Sequence, residues 1–203
     1  MRIIAFCGID GAGKTTQLNR VKDALTSAGY MVYTSKVAYY PFHLYQSGMI
    51  SQYEIRVNMG FDFAKHYLTL LPQLKQEGYD YVLCDRHALC HLAFAMTYGI
   101  DAGQIEKLDA VFAIGGHPDL TLFFDVPLEV SLARIHARTD KPADTDETRE
   151  ILGPTLEHYH RLIKTTHFQD TVCIDATAAV EEQTEIIIKL IQEMENCDDE
   201  SMY

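Results

Sequence analysis

Gly8–Thr16 reads "GIDGAGKTT", directly behind the apolar run Arg2–Cys7, "RIIAFC". The spacing G-x-x-x-x-G-K-[ST] is met by Gly8, Gly13, Lys14 and Thr15. A buried strand before the glycines and a helix after them give that spacing a physical meaning. Small residues (Gly8, Gly11, Ala12, Gly13) let backbone N–H groups turn inward around an anion. The helix that opens near Lys14 adds its positive amino-terminal dipole. The stretch Gly8, Ile9, Asp10, Gly11, Ala12, Gly13, Lys14, Thr15 and Thr16 is therefore the candidate phosphate cradle. Lys14 is placed to bridge outer phosphates, and the Thr15 hydroxyl to ligate magnesium.

Outward from this loop, strand-like and helix-like runs alternate along the chain. "YMVYTSK", "YDYVLCD", "DLTLFFDV" and "TVCID" read as four more strands. Helical patterns follow the loop, span Gln52 to Gln76, and recur after each later strand; the last covers Glu181 to Glu195. Asp101 reads as a helix cap, Pro127 as a helix start, and Gly153-Pro154 as a break or kink. Strands apolar on both faces, each followed by a helix, specify a doubly covered parallel α/β sheet of about five strands. Neither a repeat nor a linker divides the chain, so residues 1–203 read as one domain. A polar lid-like segment occupies about 138–147, and an acidic tail about 193–203.

The formal charge of -12 argues against a nucleic-acid groove, which needs a basic face. No run approaches the ~18 apolar residues of a membrane span, and no charged-then-apolar leader opens the chain. The five cysteines form no C-x-x-C pair and read as small core residues in a reducing compartment. The expectation is a cytoplasmic protein that binds no nucleic acid and no membrane. His87 and His91 have the i, i+4 spacing of metal ligands, but without H-E-x-x-H they read as packing residues. The aromatic stretch 37–46, "VAYYPFHLYQ", reads as a pocket wall or as a loop capping the core.

Several stretches together resemble the thymidylate kinase family. "FCGIDGAGKTTQL" is similar to its phosphate loop, with an acidic residue ahead of G-x-G-K-T-T, and "VLCDRH" to its D-R-[YH] strand end. "PDLTLFFDVPLEVSLARIHAR" is similar to its P-D-L-T strand and arginine-rich helix, and "LEHYHRL" to the tyrosine-bearing helix after the lid. The resemblance runs from Arg2 to about Asp175. It implies a three-layer P-loop NTPase fold and transfer of the ATP γ-phosphoryl group to a nucleoside monophosphate, with ATP and Mg2+ as cofactors. It also implies a homodimer packed through helices.

Transfer to an acceptor that is already anionic asks for positioning and charge neutralisation more than for a base. Lys14 supplies one cation. Asp85, at a strand end, would orient a magnesium-bound water, and Arg86 would hold the acceptor phosphate by its planar fork. Asp10 resembles the loop carboxylate that meets the acceptor's sugar. Arg134 and Arg138 stand four apart on one helix face and, with Lys141, lead into the lid.

The acceptor half departs from the family pattern. Where the family carries T-R-E-P-G, this chain has "TSKVAYYPF", with Lys36 as the nearby cation. The family's base-stacking aromatic and the arginine four residues on are matched by Phe61 and Lys65. The acceptor could thus be thymidylate, another or a modified nucleotide, or a nucleoside, although "VYTSKVAYY" supplies no glutamate as the base that a nucleoside would need. A nucleotide-dependent switch is the rival from another class. This sequence lacks the N-K-x-D stretch with which switch GTPases read guanine, and the lid-like segment and the Asp85-Arg86 pair speak against that reading.

Overall fold

The computed structural model describes residues 1–36, 51–139 and 146–200. β1 (Arg2–Cys7), β2 (Val32–Ser35), β3 (Tyr81–Asp85), β4 (Leu120–Asp125) and β5 (Val172–Asp175) form one sheet in the order β2-β3-β1-β4-β5. Every neighbouring pair is parallel. Seven helices cover it among the described residues: α1 (Lys14–Ser27), α2 (Gln52–Glu77), α3 (Ala88–Thr97), α4 (Ala102–Ala113), α5 (Leu128–His136), α6 (Arg149–Leu162) and α7 (Val180–Glu200). The α/β sheet expected from the alternation is the one observed.

β1 is central because its residues Ile4 to Cys7 are fully buried between β3 and β4. Successive strand residues point to opposite faces. Phe123 thus stacks on Tyr159 of α6 while Phe124 stacks on Phe6. On one face α1 packs with α7; on the other, α3 packs with α4 and α6. Gly8 and the loop after it leave the carboxyl end of β1, where its neighbours β3 and β4 part, the usual ligand crevice of open α/β sheets.

Local signals set the helix ends. Ser51 caps α2 and Asp101 caps α4, each through a reciprocal capping box with the residue three positions on. Gly78, in the left-handed conformation, closes α2.

Four expectations are corrected. Gly153-Pro154 does not break α6, which runs unbroken from Arg149 to Leu162. Pro154 falls early in that helix, so its missing N–H and its ring disturb only the first turn. Gly153 instead permits close packing, since a Cβ there would lie 3.3 Å from Leu128. The last helix continues past Glu195 to Glu200, and 201–203 lie outside the described residues. Cys7, Cys84 and Cys90 are buried, but Cys173 is exposed because β5 is an edge strand. Finally, α5 ends at His136, so Arg138 lies beyond its cap and shares no helix face with Arg134.

Two loop glycines are fixed by close approach as well as by a positive φ. A Cβ on Gly8 would lie 2.8 Å from the Phe124 carbonyl oxygen, and one on Gly11 would lie 2.5 Å from that of Ser131. Neither backbone oxygen can move aside cheaply. Gly11→Ala is therefore expected to lower stability by about 1–3 kcal/mol. Urea unfolding checks this, and an unchanged midpoint would contradict the packing described.

Candidate active site

The site is assembled where β1 and β3 end side by side. Their register pairs Phe6 with Asp85, so the next residue, Arg86, emerges beside the start of the loop. Arg86 has φ 77°, alone among the described non-glycine residues in being left-handed. Such a conformation costs about 1–2 kcal/mol. It persists because surrounding bonds determine it. The Arg86 N–H donates to the Phe6 carbonyl at 3.1 Å. One guanidinium nitrogen pairs with the Asp10 carboxylate, and the other donates to the Gly8 carbonyl at 3.4 Å. The guanidinium also lies over the Phe94 ring, 5.5 Å from its centre. The result is a largely buried arginine fork folded back over the phosphate loop.

The Gly8 carbonyl has a second donor. Tyr159 of α6, buried, gives it a hydrogen bond of 3.2 Å. Burial raises the phenol well above its ordinary range, so Tyr159 stays protonated and remains a donor. The loop is also tied to α5. Ser131 Oγ donates to the Asp10 carbonyl at 2.6 Å, and Arg134 donates to the Gly11 carbonyl at 3.4 Å and to that of Ala176 at 2.9 Å. Arg134 thus clamps the loop to the turn after β5.

Lys14 is buried and donates to the Ile9 carbonyl at 2.7 Å. Burial, with the neighbouring Arg86 charge, lowers its pKa to about 8, and Asp10 opposes the shift. Thr15 and Thr16, by contrast, are exposed at the start of α1. Asp85 lies at the mouth, and the Lys36 ammonium sits 3.0 Å from its carboxylate. The pairing of Ser35 with Cys84 across β2 and β3 makes this contact.

Arg138 pairs with the buried Glu147, joining the two ends of the lid-like segment. Residues 140–145, Lys141 among them, lie outside the described residues, as does the aromatic stretch 37–46.

The structure therefore brings Asp10, Lys14, Asp85, Arg86, Lys36 and Arg134 to one end of the sheet. Phe61 and Lys65 stand apart from the loop. Both are exposed, on the face of α2 opposite the buried Phe63 and Tyr67. Those buried rings pack on His87 and His91. Burial pushes both imidazoles down to about 3, so they are neutral packing groups.

Sequence reasoning missed Ser131, which holds the loop, and Arg56, buried over the Tyr98 ring at 5.0 Å, and it marked Tyr159 only as the tyrosine of the helix after the lid-like segment, without its bond to Gly8. A usable signal existed for one of them. Ser131 precedes Arg134 by one helical turn, so both face the loop.

A glycine cradle after a central strand, a buried lysine within it and an arginine fork over it define a phosphate-loop kinase of small molecules. Comparison with known proteins gives the family. Residues 51–187 match the thymidylate kinase family model, and the chain belongs to that family. It is 31% identical to a probable thymidylate kinase of Archaeoglobus fulgidus, over 96% of both chains. It is 32% identical to a thymidylate kinase of a Bradyrhizobium species, over 95% of this chain and 90% of the other. A probable thymidylate kinase of Metallosphaera sedula is 26% identical, over 95% and 93%.

If Lys14 binds phosphate as the sequence leads one to expect, it does so in its protonated form. Its pKa near 8 predicts ATP affinity that is flat well below that pH and falls above it, by up to about tenfold per pH unit. Calorimetric titration across this range checks the sign, and affinity rising with pH would contradict it.

Proposed function

We propose that the chain phosphorylates thymidylate, using ATP and magnesium. One observation carries this reading beyond family membership: Arg86 is fixed directly over the phosphate loop by Asp10 and the Gly8 carbonyl. A donor cradle and an acceptor-phosphate fork thus share one backbone oxygen.

The cradle fits the expected groups. Gly8 and Gly11 leave no room for a Cβ, and the exposed Thr15 hydroxyl and Asp85 are oxygen donors suited to magnesium. Bound magnesium would neutralise charge on the donor phosphates. In this reading Lys14 leaves the Ile9 carbonyl for the outer phosphates of ATP. Arg86 orients the acceptor phosphate in line, and Asp10 faces the acceptor's sugar. Asp85, once free of the exposed Lys36, would help to hold the magnesium. Arg134 keeps the cradle rigid, while Arg138 and Glu147 hinge the lid that excludes water. The family resemblance adds a homodimer to this proposal, and the cysteine usage adds a cytoplasmic location.

Lys36 and Lys65 stand where the family has arginines, and an ammonium cannot make a bidentate contact. They favour a second reading, a related nucleotide as the preferred acceptor.

The test is ADP release over a panel of nucleosides and monophosphates. Turnover highest with thymidylate is expected. Lys14→Ala should lower kcat by on the order of 10²–10³-fold while the fold is kept. Arg86→Lys should raise the acceptor KM far more than the ATP KM. ATP hydrolysis indifferent to every acceptor would overturn the proposal.

A further inference from the structure

Two free thiols meet directly behind the phosphate loop. Cys7 ends β1 and is followed by Gly8, and Cys90 stands in the first turn of α3. Both are buried. Their side chains are hydrogen-bonded to each other, and the His87 N–H reaches both sulfurs. One donor serving both sulfurs places them in a single small space. Cys84, also buried and free, turns to Tyr67 instead.

The surroundings make the two thiols unequal. Burial opposes ionisation of Cys90, but the Cys7 thiol, the Arg86 guanidinium, the Tyr159 hydroxyl and the His87 N–H outweigh it and lower its pKa. Burial, with Cys90 beside it, raises Cys7. Cys90 is thus the nucleophile, and Cys7 the thiol that keeps its proton. Low-pKa cysteines with a second thiol in contact are the ones that sense oxidants. In a reducing compartment a disulfide between them is transient and regulatory. The phosphoryl transfer proposed above uses neither sulfur.

We propose that Cys7 and Cys90 are a redox modification site, at which a hydroperoxide forms a reversible disulfide that disables the phosphate loop. With hydrogen peroxide, the Cys90 sulfur attacks one oxygen, the O–O bond breaks and hydroxide leaves. The Cys7 sulfur then attacks the Cys90 sulfenic acid, the S–S bond forms and water leaves. Counted from two thiols, one peroxide gives one disulfide and two waters, and the sulfurs lose the two electrons that the peroxide gains. A small dithiol reverses the bridge by exchange. Burial admits the oxidant only through local opening of the loop. The bridge acts on the loop through Gly8. Its carbonyl takes Arg86 and Tyr159, and a Cβ on it would lie 2.8 Å from the Phe124 carbonyl oxygen. Drawing the Cys7 sulfur into a covalent bond moves that backbone, and the charge of Cys90 that faces Arg86 is lost at the same time. The effect on ATP rests on the phosphorylation reading; the bridge itself does not.

The test uses the full chain carrying Cys173→Ser and Cys197→Ser, which leaves Cys7, Cys84 and Cys90. After hydrogen peroxide, its mass is expected to fall by two hydrogen atoms, and a peptide map to join Cys7 to Cys90. Dithiothreitol should reverse both. Adding Cys7→Ser should stop the reaction at a Cys90 sulfenic acid that dimedone captures, and adding Cys90→Ser should leave Cys7 unmodified. In calorimetric titration the bridged chain should bind ATP about 10–100-fold more weakly, the loss expected for one charge-assisted hydrogen bond. No bridge, a bridge through Cys84, or equal ATP affinity in the fully bridged chain would each overturn the proposal. A reduced chain that binds no ATP would overturn the phosphorylation reading instead, while the peptide map still decides the bridge.

Discussion

Arg86 leaves β3 in a backbone conformation that an L-residue adopts at a cost, and its guanidinium returns over the phosphate loop to meet Asp10 and the Gly8 carbonyl. The same oxygen accepts from Tyr159 on the helix that follows the lid. One carbonyl therefore joins three parts of the structure: the glycine loop after β1, the arginine at the end of β3, and helix α6. Removing any donor would leave the others pulling on the loop differently. Strain of this kind is held where the surroundings over-determine a geometry, and active sites are common places for it.

That arrangement explains why the loop is so closely packed. Gly8 lies under the Phe124 carbonyl and Gly11 under that of Ser131, while Ser131 and Arg134 reach from α5 to the loop's own carbonyls. The carbonyls of Gly8, Asp10 and Gly11 are thus all taken by side chains from outside the loop. The buried Lys14 gains from the same enclosure. Its ammonium is held in a dry site, where charge acts more strongly than in water, and its pKa falls accordingly.

Much of this was legible in the sequence because it is local. The loop spacing, the capping boxes at Ser51 and Asp101, and the alternation of strand and helix follow from neighbouring residues. The meeting of Lys36 with Asp85, and of Arg86 with Asp10, depends on the register of parallel strands far apart in the chain, which no local pattern states. Gly153-Pro154 misled because local propensity signals a break, whereas packing against Leu128 has a use for the glycine and the helix runs on through the proline with the loss of one bond back to Glu150. Cys173 misled for a related reason: its apolar run does not reveal that β5 lies at the edge of the sheet. Phe61 and Lys65, matched only by resemblance, lie on the exposed face of α2, and helical periodicity alone separates them from the buried Phe63 and Tyr67.

The central claim is that Asp10 and Arg86 act as one unit, linking donor loop and acceptor fork. A double-mutant cycle on kcat/KM for thymidylate, built from Asp10→Asn and Arg86→Lys, measures it directly. A coupling energy of about 1–3 kcal/mol is predicted, with the second substitution costing much less once the first is made. Strictly additive losses would contradict the account.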